Sequence, residues 1–419
     1  MGDGMTILFP YLDRELRLDV PDSNLLACVE PNEVPSVADG AALVRRVCSA
    51  PLDSSPLGDF LVGAQRLLVI VNDATRPTPT PTMLDALADE LEAHGARFLV
   101  ATGAHRAPTE EEYRQILGAH YGRFRGRIEA HDARNRESLV DLGVTRNGTP
   151  ILLNRALIEA DRVIATGSVE PHYFAGYTGG RKAFFPGVAG YETVEANHRL
   201  ALDPRARALA LEDNPVSQDM DDALTLVPGR VFAVMAVLDK HQRLAACCAG
   251  DIRSSFREAV ATANAIFTVA LPERADIVIS LARHPMDIDL YQAQKAIDNA
   301  SLALKPGGLL ILVASCRDGV GDRAYIELLG SSSSPAEARS RIASGYRLGY
   351  HKAAKIAQVA SNGSIWAVSE LDEATLGKAF ITKKASLEAA FSEAMAMKGP
   401  TANVVVLLDG TVTVPLVRA

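Results

Sequence analysis

The sequence predicts an α/β protein of two domains with parallel-type sheets, and three observations carry that prediction. Short β-branched or aliphatic runs alternate with amphipathic helical stretches, the pattern of parallel strands covered by helices. At 419 residues the chain is too long for one ordinary core. Polar, chemistry-bearing residues gather just after the apolar runs, where open α/β sheets bind ligands.

The strands come in order as RLLVIV (66–71), RFLVAT (97–102), RVIAT (162–166), RVFAVMAVL (230–238), DIVIS (276–280) and GLLILVA (308–314). Helices lie between them. One spans Met83–His94 and stops at Gly95, a C-cap residue. Thr109 followed by Glu112 reads as a capping box opening a helix toward Leu117. After a helix over Asp251–Val269, the stretch LPERADIVIS opens a second α/β unit. The boundary is expected near Leu271–Ala275, giving domains 1–271 and 272–401. The terminal strand–turn–strand NVVVLLDGTVTVPLV is expected to return to the first domain, so that 402–419 completes it. Ser331–Ser334 reads as a polar loop, and no repeat of fixed period is present.

Composition narrows the function. With 48% apolar and 22% charged residues the chain is a folded, soluble type. A formal charge of −8 opposes nonspecific nucleic-acid binding, which needs basic patches to neutralise phosphates. No apolar run is long enough to span a bilayer and no charge-flanked apolar segment opens the chain, so a cytoplasmic protein without membrane partners is expected. The five cysteines lack C-x-x-C spacing, and the vicinal Cys247-Cys248 pair reads as small apolar filler.

Three successive strand ends supply candidate site residues. The first runs into Asp73 and Arg76 ahead of prolines, the second into His105, the third into His172. Arg76 suits forked recognition of a carboxylate or phosphate. Asp73 suits either a helix cap or the orientation of a cofactor hydroxyl or of the arginine. His105 and His172 are general acid/base candidates, since imidazole exchanges protons near neutral pH. His131-Asp132 reads as a supporting strand-end pair.

The stretch from Ser168 to His198 is the densest in chemistry. Gly179-Gly180-Arg181-Lys182 resembles an anion cradle without Walker spacing, and its lysine suits phosphate binding or nucleophilic attack. His198 is a candidate metal ligand, but one imidazole makes no cage, so a metal there needs ligands from a cofactor. In the second domain, Gln292 and Lys295 follow Tyr291 and share a helix face, which suits carboxylate capture. Gly349-Tyr350-His351-Lys352 is a further polar cluster, with His351 as its candidate site residue.

The segments DATRPTP, GAHRAPTEEE, EPHYFAGYTGGRKAFFPG, ANH and YQAQK together closely resemble the nickel-dependent lactate racemase family. The resemblance implies two α/β domains with the active-site cleft between them. It also implies a nickel-pincer nucleotide, pyridinium-3,5-bisthiocarboxylic acid mononucleotide nickel, loaded by cofactor-biosynthesis proteins. By that likeness Lys182 forms the thioamide link and His198 is the fourth nickel ligand. His105 and His172 each deprotonate the hydroxyl of one enantiomer of a 2-hydroxyacid while the C2 hydrogen moves as hydride. Arg76, Gln292 and Lys295, beside Tyr291, hold the substrate carboxylate, and Asp73 with Gly179 and Gly180 helps seat the cofactor.

One departure bears on substrate. Ahead of Pro285 the family's lactate enzymes tend to carry small, glycine-rich residues, whereas this chain has Leu281-Ala282-Arg283-His284. Arg283 or His284 could therefore pair with a second anionic group, as on malate. Two other classes remain. A 2-hydroxyacid oxidoreductase on the same scaffold is opposed by the lack of G-x-G-x-x-G after a strand. A non-catalytic nucleotide-binding protein is opposed by the histidine pair, which storage does not need.

Overall fold

The computed structural model describes residues 4–417. They form two compact units, one over Glu33–Ile266 and one joining the chain up to Asn32 with the chain from Phe267 onward.

In the unit over Glu33–Ile266, a six-stranded sheet runs Leu244–Gly250, Arg230–Leu238, Arg162–Ser168, Leu67–Asn72, Arg97–Ala101, Ile128–Ala130. Arg230–Leu238 pairs antiparallel with Leu244–Gly250, and the other neighbours pair parallel. Leu67 through Val71 are all buried, as expected of a strand covered on both faces. The helix Thr80–Ala93 buries Met83, Leu84, Leu87 and Leu91, and Gly95 follows it at φ 61°. The capping box forms: Thr109 Oγ1 accepts from the Glu112 amide at 3.3 Å, and the Glu112 carboxylate accepts from the Thr109 amide at 2.7 Å. Phe232 is fully buried against Phe60 at 5.4 Å between ring centres. Phe232→Ala should therefore lower unfolding free energy by about 3–5 kcal/mol, read as an earlier urea midpoint at unchanged slope.

The other unit holds a parallel sheet in the order Ile381–Lys383, Ser364–Val368, Leu304–Val313, Ala275–Leu281, Val404–Leu407, Leu25–Val29. An antiparallel hairpin, Gly4–Tyr11 with Arg14–Pro21, buries Ile7, Phe9, Tyr11, Leu18 and Val20 against Ile277, Ile311, Trp366 and Phe391. The division therefore differs from the expected 1–271 and 272–401. Pairing of Leu25–Val29 with Val404–Leu407 carries the N-terminal chain into the second sheet. The C-terminal strands stay there too, because Val414–Val417 pairs with Thr268–Leu271. Nothing local in an alternating strand names its partner, so these long-range pairings override the linear reading.

Ser334, in the serine run, caps the helix Pro335–Ser344 by accepting from the Glu337 amide. Cys247 and Cys248 are buried strand residues whose thiols burial pushes up, Cys248 to about 11, so neither is a reactive thiolate. Among the described residues no helix is long and apolar enough to cross a membrane.

Candidate active site

The parallel neighbours Arg97–Ala101, Leu67–Asn72 and Arg162–Ser168 deliver their carboxyl ends to one edge of the first sheet. Asp73 follows the middle strand and is buried. Its Oδ1 accepts from Thr75 Oγ1 at 2.7 Å and from the Thr75 amide at 3.3 Å. Its Oδ2 lies 2.7 Å from His105 Nδ1, and the His105 side chain remains 55% exposed. Burial works to raise the Asp73 carboxyl. Hydrogen bonds from His105 and Thr75 and the charges of His105 and Arg76 outweigh it and hold the group below its ordinary value. An ionised Asp73 thus fixes the proton of His105 on Nδ1 and leaves Nε2 as the acceptor, an assignment made from this bond. Arg76 is exposed, with its amide donating to the Asp73 carbonyl at 3.2 Å.

The third strand end leads into a two-residue ladder, Pro171–His172 with Gly176–Tyr177. Gly176 sits at φ 79°, and a Cβ there would lie 2.1 Å from the Ala210 carbonyl, so only glycine closes this turn. His172 Nδ1 accepts from the Ala175 amide at 3.2 Å, which places the proton of a neutral ring on Nε2. His105 and His172 are therefore held with opposite polarity at Nε2.

Phe174 gathers the remaining groups. Its buried ring lies 4.6 Å from the His172 ring centre, 5.0 Å from that of His198 and 5.5 Å from Lys182 Nζ. Tyr173 stacks on His172 at 5.0 Å. These two aromatics were not among the expected site residues. The available signal was their place directly after His172 in the PHYF run.

The backbone of the glycine pair is closely packed, with no room for a side chain. A Cβ on Gly179 would come within 2.6 Å of Val169 Cγ2, and one on Gly180 within 2.7 Å of the Phe256 ring. Arg181 turns inward: Nη2 donates to Ser217 Oγ at 2.6 Å, Nε lies 3.0 Å from Asp221 Oδ1, and the guanidinium covers Phe256. With Arg181 directed that way, Lys182 reaches the opposite side. Dense surroundings push the Lys182 amine well below its ordinary value, helped by the Arg76 and Arg181 charges and opposed by Glu170. His198 falls to about 3, first through burial and then through the Lys182 charge, with Arg76 adding to the effect. Burial thus disfavours the charged form of both groups. The Arg76 charge contributes to both shifts. His131 stands apart as a structural residue, buried between the Ala189 carbonyl at 2.9 Å and Asn154 Nδ2 at 3.1 Å.

The other unit carries its candidates on and around the helix Leu290–Ala300. Asp289 caps it by accepting from the Gln292 amide at 2.7 Å. Lys295 Nζ lies 3.5 Å from Met286 Sδ, and the Gln292 side chain is half-buried. Lys352 Nζ sits 3.6 Å above the Tyr291 ring and donates to the Tyr291 carbonyl. Burial, then the Lys295 charge, lowers the Lys352 amine to about 7 against Asp298, Asp289 and Asp322. His351 is buried and bonded through Nδ1 to the Tyr346 hydroxyl at 2.9 Å. In the 349–352 cluster it is thus Lys352, rather than His351, that touches Tyr291. Arg283 Nε donates to the Leu408 carbonyl at 2.8 Å, and Nη2 lies 3.4 Å from Glu30. His284 is mostly exposed, 3.3 Å from Asp287.

Known proteins match this arrangement along nearly the whole chain. Residues 11–209 match the family model of the lactate racemase N-terminal domain, and residues 271–414 that of the lactate racemase C-terminal domain. The lactate racemase of Thermoanaerobacterium thermosaccharolyticum is 30% identical over 348 residues, covering 81% of each chain. That of Lactiplantibacillus plantarum is 30% identical over 379 residues, covering 88% of this chain and 89% of the relative. The solved lactate racemase apoprotein from T. thermosaccharolyticum superposes with a TM-score of 0.91 at 28% identity, over 99% of this chain and 100% of that one. A Thermotoga maritima protein at 16% identity and a TM-score of 0.68 shares the fold. With two family domains covering most of its length and relatives 30% identical over more than four-fifths of it, this chain belongs to the lactate racemase family of isomerases.

Proposed function

We propose that this protein inverts C2 of a 2-hydroxyacid using a nickel-pincer nucleotide held by Lys182 and His198. The observation that carries the reading is the Phe174-centred cluster, in which the Lys182 amine and the His198 imidazole, whose charged forms burial disfavours, share the Phe174 ring with His172. The donor set fits such a group. A neutral amine is the form that makes a covalent acyl-type link, and a neutral imidazole is the form that ligates a metal. When bound, the nucleotide supplies a reversible hydride acceptor for the C2 hydrogen.

The chain's own residues do the rest. Arg76 offers a guanidinium to the substrate carboxylate. His105, with Asp73 on Nδ1, takes the hydroxyl proton at Nε2, and Asp73 stabilises the imidazolium that results. His172 serves the opposite enantiomer: as the imidazolium it returns a proton from Nε2 to the alkoxide oxygen while the 2-keto acid is reduced, and is left as the neutral ring. The imidazolium carries a proton on Nδ1 as well, so His172 must release its bond from Ala175 to act, and the ring left with its proton on Nδ1 is the base for the reverse direction.

Loading requires the proteins that make the cofactor. The test is a chiral assay of holoprotein, made alongside those enzymes, over a panel of 2-hydroxyacids. Conversion of one pure enantiomer to a mixture supports the reading. Net formation of 2-keto acid with reduction of an added nicotinamide would instead favour an oxidoreductase. A lactate-like substrate is favoured over malate, because Arg283, the group a second carboxylate would need, is engaged by Leu408 and Glu30. Arg283→Ala is accordingly expected to change kcat/KM for lactate and malate by the same factor. A selective loss on malate would reinstate the dicarboxylate reading.

A further inference from the structure

We propose that Asp219 is a positioning residue for His198, acting through Asn197, on the same helix that holds the Lys182 turn through Arg181. The proposal rests on the assignment of Lys182 and His198 as cofactor-holding residues.

The helix Pro215–Leu224 packs against both the turn Gly180–Ala183 and the helix Tyr191–Arg199. Asp219, 1% exposed, is a hub for three donors from two other segments. Its Oδ1 accepts from Thr145 Oγ1 at 2.6 Å and from Asn147 Nδ2 at 3.3 Å, both in the turn between the strands Leu139–Val144 and Pro150–Asn154. Its Oδ2 accepts from Asn197 Nδ2 at 2.9 Å. Asn197 is itself buried, donates also to the Val216 carbonyl at 3.4 Å, and directly precedes His198 in the last turn of the helix Tyr191–Arg199. Two residues to either side of Asp219, Ser217 and Asp221 grip Arg181. One helix thus binds both neighbours of the cofactor-holding residues: Arg181 next to Lys182, and Asn197 next to His198.

Apolar packing of Val194 leaves rotation about the axis of the Tyr191–Arg199 helix weakly determined, and hydrogen bonds set it. Thr193 Oγ1 accepts from the Leu152 amide at 2.9 Å and donates to the Pro150 carbonyl at 2.6 Å, which fixes the first turn. The bond from Asn197 to Asp219 fixes the last turn, which carries His198 and its ring beside Phe174. A carboxylate is needed at the hub because only an acceptor with no donor of its own satisfies all three groups. Groups that orient a metal-binding imidazole typically matter about 10–100-fold in metal affinity when removed.

The test uses Asp219→Ala and Asn197→Ser. In apoprotein, carbethoxylation of His198 is followed by peptide mapping. In holoprotein made with the cofactor's biosynthetic enzymes, nickel per chain and the mass of the Lys182 peptide are measured. Both variants should modify His198 severalfold faster than wild type. Both should retain nickel about 10–100-fold more weakly while the Lys182 adduct still forms. The double substitution N197D/D219N should restore nickel retention. Position 219 would then accept from Thr145 and Asn147 through its amide oxygen and donate through its nitrogen to the carboxylate at 197. Wild-type nickel retention in both single variants would overturn the proposal. So would loss of the adduct in step with the metal, which is the mark of a general loss of structure. If wild-type protein took up neither nickel nor adduct, the functional reading would fall, yet faster His198 modification in the apo variants would still establish the positioning role.

Discussion

His105→Ala should lower racemisation by about 10²–10⁴-fold in both directions while nickel content stays at the wild-type level. The expected size follows from the Asp73–His105 pair. The 2.7 Å contact fixes one ring nitrogen, and the carboxylate at its back lowers the cost of forming an imidazolium. Asp73→Asn, which keeps the size of the group and removes its charge, should cost less than His105→Ala and act on kcat more than on KM. Steady-state assays from each enantiomer, with metal analysis on the same samples, check both. A variant lacking His105 that kept near-normal rates would remove this histidine from proton transfer.

Lys182→Ala should abolish both the mass adduct and interconversion, the largest loss expected of any single change. Lys182→Arg should fail as well, because a guanidinium stays charged where the surroundings favour a neutral amine. The same depression gives a check in apoprotein. Burial lowers the proton affinity of Lys182 relative to a solvated lysine, so its acylation rate should level off at a lower pH than that of the exposed Lys378. The same pH profile for both lysines, or an unmodified Lys182 in active nickel-loaded protein, would sink the covalent role.

Much of the site was legible because its residues lie close in sequence to strand ends. The runs at 66–71, 97–102 and 162–166 appear as Leu67–Asn72, Arg97–Ala101 and Arg162–Ser168, and their carboxyl ends lie together as the parallel pattern requires. What was not legible depends on contacts between distant segments. Asp73 was open between a cap and a cofactor contact, and the fold gives it to His105, 32 residues away. Arg181 read as part of an anion cradle, and the fold turns it inward to Ser217 and Asp221. Asp219 carried no signal, since an isolated aspartate on a helix is indistinguishable from a solvated one until Thr145, Asn147 and Asn197 converge on it.

By itself the sequence determined the α/β class, the strand ends that carry chemistry and the order of the motifs. These depend on local periodicity and on residue type, which any short window contains. Only the tertiary structure decided that the first 32 residues belong with the C-terminal sheet, and that Arg283 is held by Leu408 and Glu30. It also decided that burial lowers the proton affinities of Lys182 and His198. Strand partners, buried charge pairs and shifted proton affinities are properties of desolvated neighbourhoods assembled across hundreds of residues, and no local pattern encodes them.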